Sequence, residues 1–208
     1  MINTKQKILD TAERLIGDQG YSGTSLRQII GEAEVNLAAI HYHFGSKEEL
    51  LDELIVRKVG PVNEERLARV DRLEANSAGE TLKVEGVLEA FLMPVAEAAD
   101  QDPQFVRMMG RILAEGLMQK IAEKHFHTVK VRYVNALRRA LPALSDDELL
   151  WRAHFMIGAL AHTMCGPPDP TGKGDAPGTF RERMERLIAF LAGGFHAPVH
   201  TARAREEK

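Results

Sequence analysis

TSLRQIIGEAEVNLAAIHYHFGSKEEL, residues 24–50, holds the signals from which the fold can be read outward. Thr24 or Ser25 can cap a short helix whose apolar positions Leu26, Ile29, Ile30 and Ala33 keep helical spacing. With Ser25 as the cap, Gln28 falls three residues on, where a capping box needs it. After a break at Glu34-Val35, Asn36 can cap a second helix, Leu37 to Phe44, which carries His41, Tyr42 and His43 on its outer half. Two short helices joined by a three- or four-residue turn form a helix-turn-helix, and the second is the one that enters a major groove.

Gly45 stops that helix, and Ser46-Lys47-Glu48-Glu49 reads as a capping box opening a long amphipathic helix through Leu50, Leu51, Leu54 and Ile55. Its first turn offers free backbone N–H groups with Lys47 beside them, an arrangement suited to one DNA phosphate. Upstream, Ile8, Leu9, Ala12, Leu15 and Ile16 mark one face of a helix from about Thr4 to Asp18, and the helix-turn-helix pair can cover it.

Lys7-Ile8-Leu9, Gly20-Tyr21, Thr24-Ser25-Leu26-Arg27, Ile40-His41-Tyr42-His43-Phe44 and Lys47-Glu48-Glu49-Leu50 occur in an order and spacing that resemble the DNA-binding domain of TetR/AcrR-type transcriptional regulators. The resemblance implies DNA contacts from Thr24, Arg27, Asn36, Leu37, Ala39, His41, Tyr42 and Lys47. There are two departures. Glu34 stands in the turn where family members usually have glycine, and Ala38 where they often have glycine or proline, so the turn must place a residue that disfavours positive φ. Leu37 and Ala39 are apolar where other members often carry polar groups, and their natural groove partner is a thymine methyl.

The 208 residues are 44% apolar, enough for a substantial core, and carry a formal charge of -3. Residues 1–60 hold seven Lys or Arg against nine Asp or Glu. Bulk attraction therefore does not drive nucleic-acid binding, and affinity for double-stranded DNA must come from local placement of charge and helix ends. One cysteine, Cys165, excludes an internal disulfide framework and a cysteine-rich zinc site, and in the run MIGALAHTMC it reads as a buried small hydrophobe. No signal-peptide pattern opens the sequence, and Ala153 to Pro168, its longest stretch without Asp, Glu, Lys or Arg, falls short of a bilayer span. The expectation is a cytoplasmic protein that does not enter a membrane.

Farther along, Gly60-Pro61 reads as an interruption of the fourth helix, Val62 to about Ala75 as a second segment, and Asn76-Ser77-Ala78-Gly79 as a linker. Helices follow from Glu80 to about Asp100, with Pro94 as a kink or early end, from Pro103 onward, and from about Lys120 to Ala140. Arg107, Arg111 and Glu115 form a face expected to be solvated. Ser145 caps the most apolar helix, Leu149 to about Cys165, expected to be buried on both faces, with His154 and His162 as satisfied buried histidines. Gly166 to Gly178 reads as an irregular loop, Thr179-Phe180-Arg181-Glu182 as a third capping box opening the last helix, and His196 to Lys208 as a frayed tail. No strand periodicity survives. The expected fold is all-α: a helix-turn-helix DNA-binding domain over 1–57, a connecting helix and linker over 58–78, and an effector-binding and dimerisation domain over 79–208.

His41-x-His43 and His125-x-His127 point to different sides of a helix, so neither pair suits a metal, and no nucleophile sits in a recognisable turn. No enzyme activity, metal or cofactor is expected. The methionines and aromatics of residues 91–164 read at single positions as core. The family resemblance implies that they also wall a pocket for a small apolar effector, formed by Phe91, Phe105, Met109, Trp151 and Phe155, and that the last two helices pair across a two-fold axis. The stretch around Trp151 to Gly158 is further similar to fatty-acid-responsive members. These readings converge on a homodimeric repressor that binds a palindromic operator and responds to a ligand. The alternative is a helical adaptor that binds another protein and has no DNA specificity.

Overall fold

A computed structural model describes residues 4–165 and 178–199, the side chain of Gln119 aside. Among these residues the chain forms ten α-helices and no strand. α1 (Thr4–Gly23), α2 (Leu26–Ala33), α3 (Leu37–His43) and the start of α4 (Lys47–Asn76) make the N-terminal bundle. α5 (Val84–Gln101), α6 (Pro103–Ala114), α7 (Met118–His125), α8 (His127–Ala140), α9 (Asp146–Cys165) and α10 (Phe180–His196) complete the chain.

The capping signals act as the side-chain chemistry requires. Ser25 and Gln28 form a reciprocal capping box on α2, Asn36 caps α3, and Thr179 and Glu182 form the box on α10. At α4, Ser46 Oγ accepts from Glu49 N at 3.1 Å, the forward half of the expected box. α1 runs beyond Asp18 to Gly23 through a bend at Gly20, whose φ of 82° lies where a side chain is strained.

Gly60-Pro61 does not interrupt α4, which is helical over thirty residues with Pro61 inside it. An interior proline costs about 3 kcal/mol in lost bonding and clash, whereas each buried valine contributes about 1.5–3 kcal/mol. Val59, Val62 and Val70 are all buried while Pro61 faces solvent, so packing against α5 holds the helix through the proline. Pro94 likewise stays within α5, and of the linker expected over 76–79 Asn76 still belongs to α4 while 77–79 form a turn in which Ala78 has a φ of 47°.

The helix expected over 120–140 is two, α7 and α8, separated at Phe126 (φ -119°, ψ 1°). The break leaves the His125 carbonyl free to accept from Asn63 Nδ2 at 3.1 Å. On the face of Arg107, Arg111 and Glu115 the two arginines are exposed as expected, whereas Glu115 is half-buried where α6 packs along α1. Glu115 Oε2 accepts from Ser22 N at 2.8 Å and from Ser22 Oγ at 2.6 Å, and Arg107 pairs with Asp18 at 3.5 Å.

α9 is buried on one face only. Met156, Leu160 and Met164 are inside, whereas Leu150, Ile157, His154, His162 and Cys165 are exposed, and Cys165 Sγ donates to Gly110 O at 3.2 Å. Arg152 fastens α9 to the end of α10: it pairs with Glu148 at 2.7 Å and donates to Phe195 O at 2.6 Å and Ala197 O at 2.9 Å. Residues 166–177 of the expected loop and 200–208 of the expected tail lie outside the described residues, and His196 still belongs to α10.

Candidate nucleic-acid interface and effector cavity

α3 is a seven-residue helix held from below by Ile40 and, just past its end, by Phe44, both buried. Such a short helix has little stability of its own, so these anchors and the Asn36 cap fix it. Asn36 Oδ1 accepts from Ala39 N at 2.8 Å, which leaves the side-chain amide N–H pair outward as donors. Leu37 and Ala38 are exposed, Ala39 is half-buried, and Tyr42 is 85% exposed, its ring edge-on to His43 at 5.0 Å. His41 Nδ1 stands 3.0 Å from the Gly45 carbonyl. Since a carbonyl can only accept, Nδ1 carries the proton and Nε2 faces outward, an acceptor when the ring is neutral.

The turn into α3 has the strain expected of a non-glycine residue there. Glu34 adopts left-handed values, φ 49° and ψ 46°, and its carboxylate pairs with Lys7 Nζ at 3.1 Å. Gly45, at φ 76°, makes the reverse turn from α3 into α4.

Two residues implied as DNA contacts are placed differently from the rest. Thr24 is 1% exposed and its hydroxyl donates to Gly20 O at 2.7 Å, so it stitches α1 to α2 and has no side-chain atom to offer a duplex. Lys47 lies inward, its ammonium donating to Tyr21 O at 2.5 Å and standing 4.0 Å from the Tyr21 ring centroid. Burial holds the Lys47 ammonium below its ordinary pKa, and burial with Glu48 beside it pushes the Tyr21 hydroxyl up to about 12. Arg27 is exposed on α2. Many other cations of the bundle are paired internally: Arg57 with Asp10 at 2.7 Å and Glu13 at 2.8 Å, Arg14 with Glu32, and Lys58 with Glu13 at 2.7 Å and Asp102 at 2.6 Å. Burial outweighs Lys58 and raises the Glu13 pKa; at Asp102 burial also raises it, but Lys58 prevails and the carboxyl sits below its ordinary value.

A cavity of about 620 Å³ lies among α4 to α9, within the 300–1,000 Å³ usual for small-molecule sites. Phe91, Phe105 and Met109 line it. Trp151 and Phe155 do not. They are 57% and 62% exposed, stacked on each other at 5.7 Å on the outer face of α9, because the wall is made by the residues one turn-face away, Ala153, Met156 and Leu160. The cavity also has wall residues that sequence reasoning missed: Arg66, Phe126 and Tyr133. Arg66 carried a signal, since Val59, Val62, Arg66 and Val70 share one helical stripe in which only the arginine is polar.

Phe190 of α10 is likewise a large apolar side chain left in water, 74% exposed. Among the described residues no cluster of ligating side chains could hold a metal, and no helix is long and apolar enough to cross a membrane.

Comparison with known proteins agrees with this architecture. The family model described as "Bacterial regulatory proteins, tetR family" matches residues 8–54, and "Tetracyclin repressor-like, C-terminal domain" matches residues 89–194, more than half of the chain. The HTH-type transcriptional regulator AcrR of Shigella flexneri is 47% identical over 51 residues, 24% of either chain. The biofilm operon icaADBC HTH-type negative transcriptional regulator IcaR of Staphylococcus aureus is 35% identical over 51 residues, 24% of this chain and 27% of its own. The chain thus spans about a quarter of the length of the curated relatives it matches. The crystal structure of PfmR, a TetR family transcriptional regulator from Thermus thermophilus, shares the fold at a TM-score of 0.58 and 19% identity, covering 89% of this chain and 96% of that one. The helix-turn-helix, the all-helical remainder and both family models place this chain in the TetR family of bacterial transcriptional regulators.

Proposed function

We propose that the protein is a ligand-responsive, sequence-specific repressor that binds a palindromic operator as a homodimer and takes a small apolar effector into the cavity among α4 to α9. The observation that carries this reading is the exposed ridge of α3. Leu37 and Tyr42 are large side chains left in water on a short helix whose opposite side is fixed by Ile40. Asn36 and His41 beside them supply donors and an acceptor suited to base edges, and Leu37 is suited to a thymine methyl. Arg27 and the first amides of α4 are the groups for phosphates, which position the helix without specifying sequence. We assign the DNA-binding unit to residues 1–57 and the effector and dimerisation unit to 79–208, joined through the rest of α4.

The outer face of α9 and α10, with Trp151, Phe155 and Phe190, supports a two-fold partner, because one face meeting its own copy buries all three aromatics at once. Such a dimer presents two α3 helices to half-sites about 34–36 Å apart or a multiple of that spacing. The test is a gel-shift titration with the duplex recovered by selection, comparing wild type with His41→Ala and Asn36→Ala: both variants change base preference, while Arg27→Ala weakens binding to every sequence alike. Equal loss on all sequences for His41→Ala and Asn36→Ala would remove α3 from the recognition role.

A further inference from the structure

Two arginines among the described residues are almost fully buried, and they are treated differently. Arg152 has its counter-charge, Glu148, at 2.7 Å. Arg66, 4% exposed, has only neutral partners: its Nε donates to Phe91 O at 2.8 Å, its Nη1 to Asn63 Oδ1 at 3.0 Å, and its guanidinium lies 4.0 Å over the Phe91 ring. Nη2 has no hydrogen-bond partner among the described residues, and Arg66 belongs to the wall of the 620 Å³ cavity. Among the described residues that wall contains no aspartate or glutamate. Its other basic residues, Lys130 and His154, are exposed to water, and the Tyr133 hydroxyl is spent on Met156 Sδ at 2.9 Å.

A guanidinium taken out of water without an anion is among the most expensive groups a protein can bury, and an apolar residue of similar size would serve packing better. Burial depresses even the Arg66 guanidinium, down to about 10. The site is therefore one charge short, and the open N–H groups of Nη2 mark where that charge belongs.

We propose that Arg66 is the headgroup anchor of the effector site, and that the effector is an anionic amphiphile: an apolar body carrying one carboxylate, which meets Nη2 while the body lies against Phe105, Met109, Met156 and Leu160. The proposal rests on the effector reading above and narrows it from any apolar molecule to a monoanion, one negative charge for one guanidinium.

Calorimetric titration of the full-length protein with decanoate, decan-1-ol and decyltrimethylammonium tests it. A charge-assisted bond to a buried guanidinium predicts that decanoate binds at least about tenfold more tightly than decan-1-ol, with the ammonium weakest. Arg66→Met should erase the preference for decanoate while leaving decan-1-ol binding in place, and Arg66→Lys should keep most of it. Equal binding of decanoate and decan-1-ol by wild type would overturn the anionic headgroup and leave the apolar effector standing. Decanoate preference retained in Arg66→Met would remove Arg66 as the anchor. If none of the three binds to protein that still binds DNA, the cavity falls as an effector site and the anchor with it. The wild-type comparison decides the headgroup whether or not the variants fold. Where Arg66→Met does fold, its melting temperature without ligand should equal or exceed that of wild type, since an unpaired buried charge is gone.

Discussion

Two surfaces of this chain turn aromatic side chains to water, and they differ in how they are built. On α3 a single ridge, Leu37 and Tyr42 flanked by Asn36 and His41, stands on a helix of seven residues anchored by Ile40. On α9 and α10 the exposure is broad: Trp151 stacks on Phe155 and has His154 edge-on at 5.9 Å, and Leu150, Ile157 and, on α10, Phe190 are exposed as well. A narrow ridge bordered by hydrogen-bonding groups suits a polar, hydrated groove, whereas a wide apolar face needs another apolar face. Exposure of aromatics alone does not say which partner a surface has; the polar groups between them do.

The largest expected effect breaks the broader surface. Trp151→Glu with Phe155→Glu should convert the dimer to monomer, read by light scattering, and lower operator affinity by more than about a hundredfold through loss of the second half-site. Leu187 is not a useful position for this purpose, although it lies on α10, because it is buried within its own chain and its replacement would damage the core. Tyr42→Ala comes next: about a tenfold loss of DNA affinity, or about 1.4 kcal/mol, with the dimer intact. If both substitutions changed oligomeric state alike, the two surfaces would not have separate partners.

The N-terminal surface was the more legible of the two in the sequence, for a physical reason. Caps and turns are local chemistry: Ser25 with Gln28, Asn36 and Gly45 fix α2, α3 and the turn within a few residues, so spacing alone reveals them. What misled was burial and orientation, which spacing alone does not reveal. Thr24 looks like a surface cap until Gly20 bends α1 back toward it, and Trp151 and Phe155 look like cavity lining until the rotation of α9 sets Ala153 and Met156 inward. Glu115 and Ser22 are 93 positions apart, and no periodicity could join them. Pro61 shows the same limit from the other side, since packing on α5 overrode a local helix breaker.

Smaller effects sharpen the account of the turn beneath α3. Glu34 holds left-handed backbone, which costs a residue with a side chain about 1–2 kcal/mol, and glycine returns some of that as unfolded-state entropy. The Lys7–Glu34 pair is exposed and adds little. Glu34→Gly should therefore raise stability by about 0.5–1 kcal/mol in urea denaturation, with DNA affinity little changed. Destabilisation would mean that the ion pair, and not the backbone, governs this turn.

The smallest effect concerns the joint of α4 and α7. Burial raises the Asp52 carboxyl, but Lys124 and His125, the latter at 3.0 Å, outweigh it and hold the pKa below its ordinary value of 3.8. A depressed carboxylate contributes stability above its unfolded pKa and loses it as pH falls through the folded one. Asp52→Asn should thus flatten the acid limb of stability below about pH 4, with no change in its slope near neutrality from this group. An unchanged acid limb would show that the pair contributes nothing measurable.

The central claim is that two copies of α3, held by one α9–α10 dimer, read one operator. Selection from random duplex DNA with the full-length protein, followed by sequencing, addresses it most directly. The account predicts enrichment of an inverted repeat whose half-site centres are about one helical turn, or a multiple of it, apart. Enrichment of a single unrepeated motif, or of no motif, would contradict it.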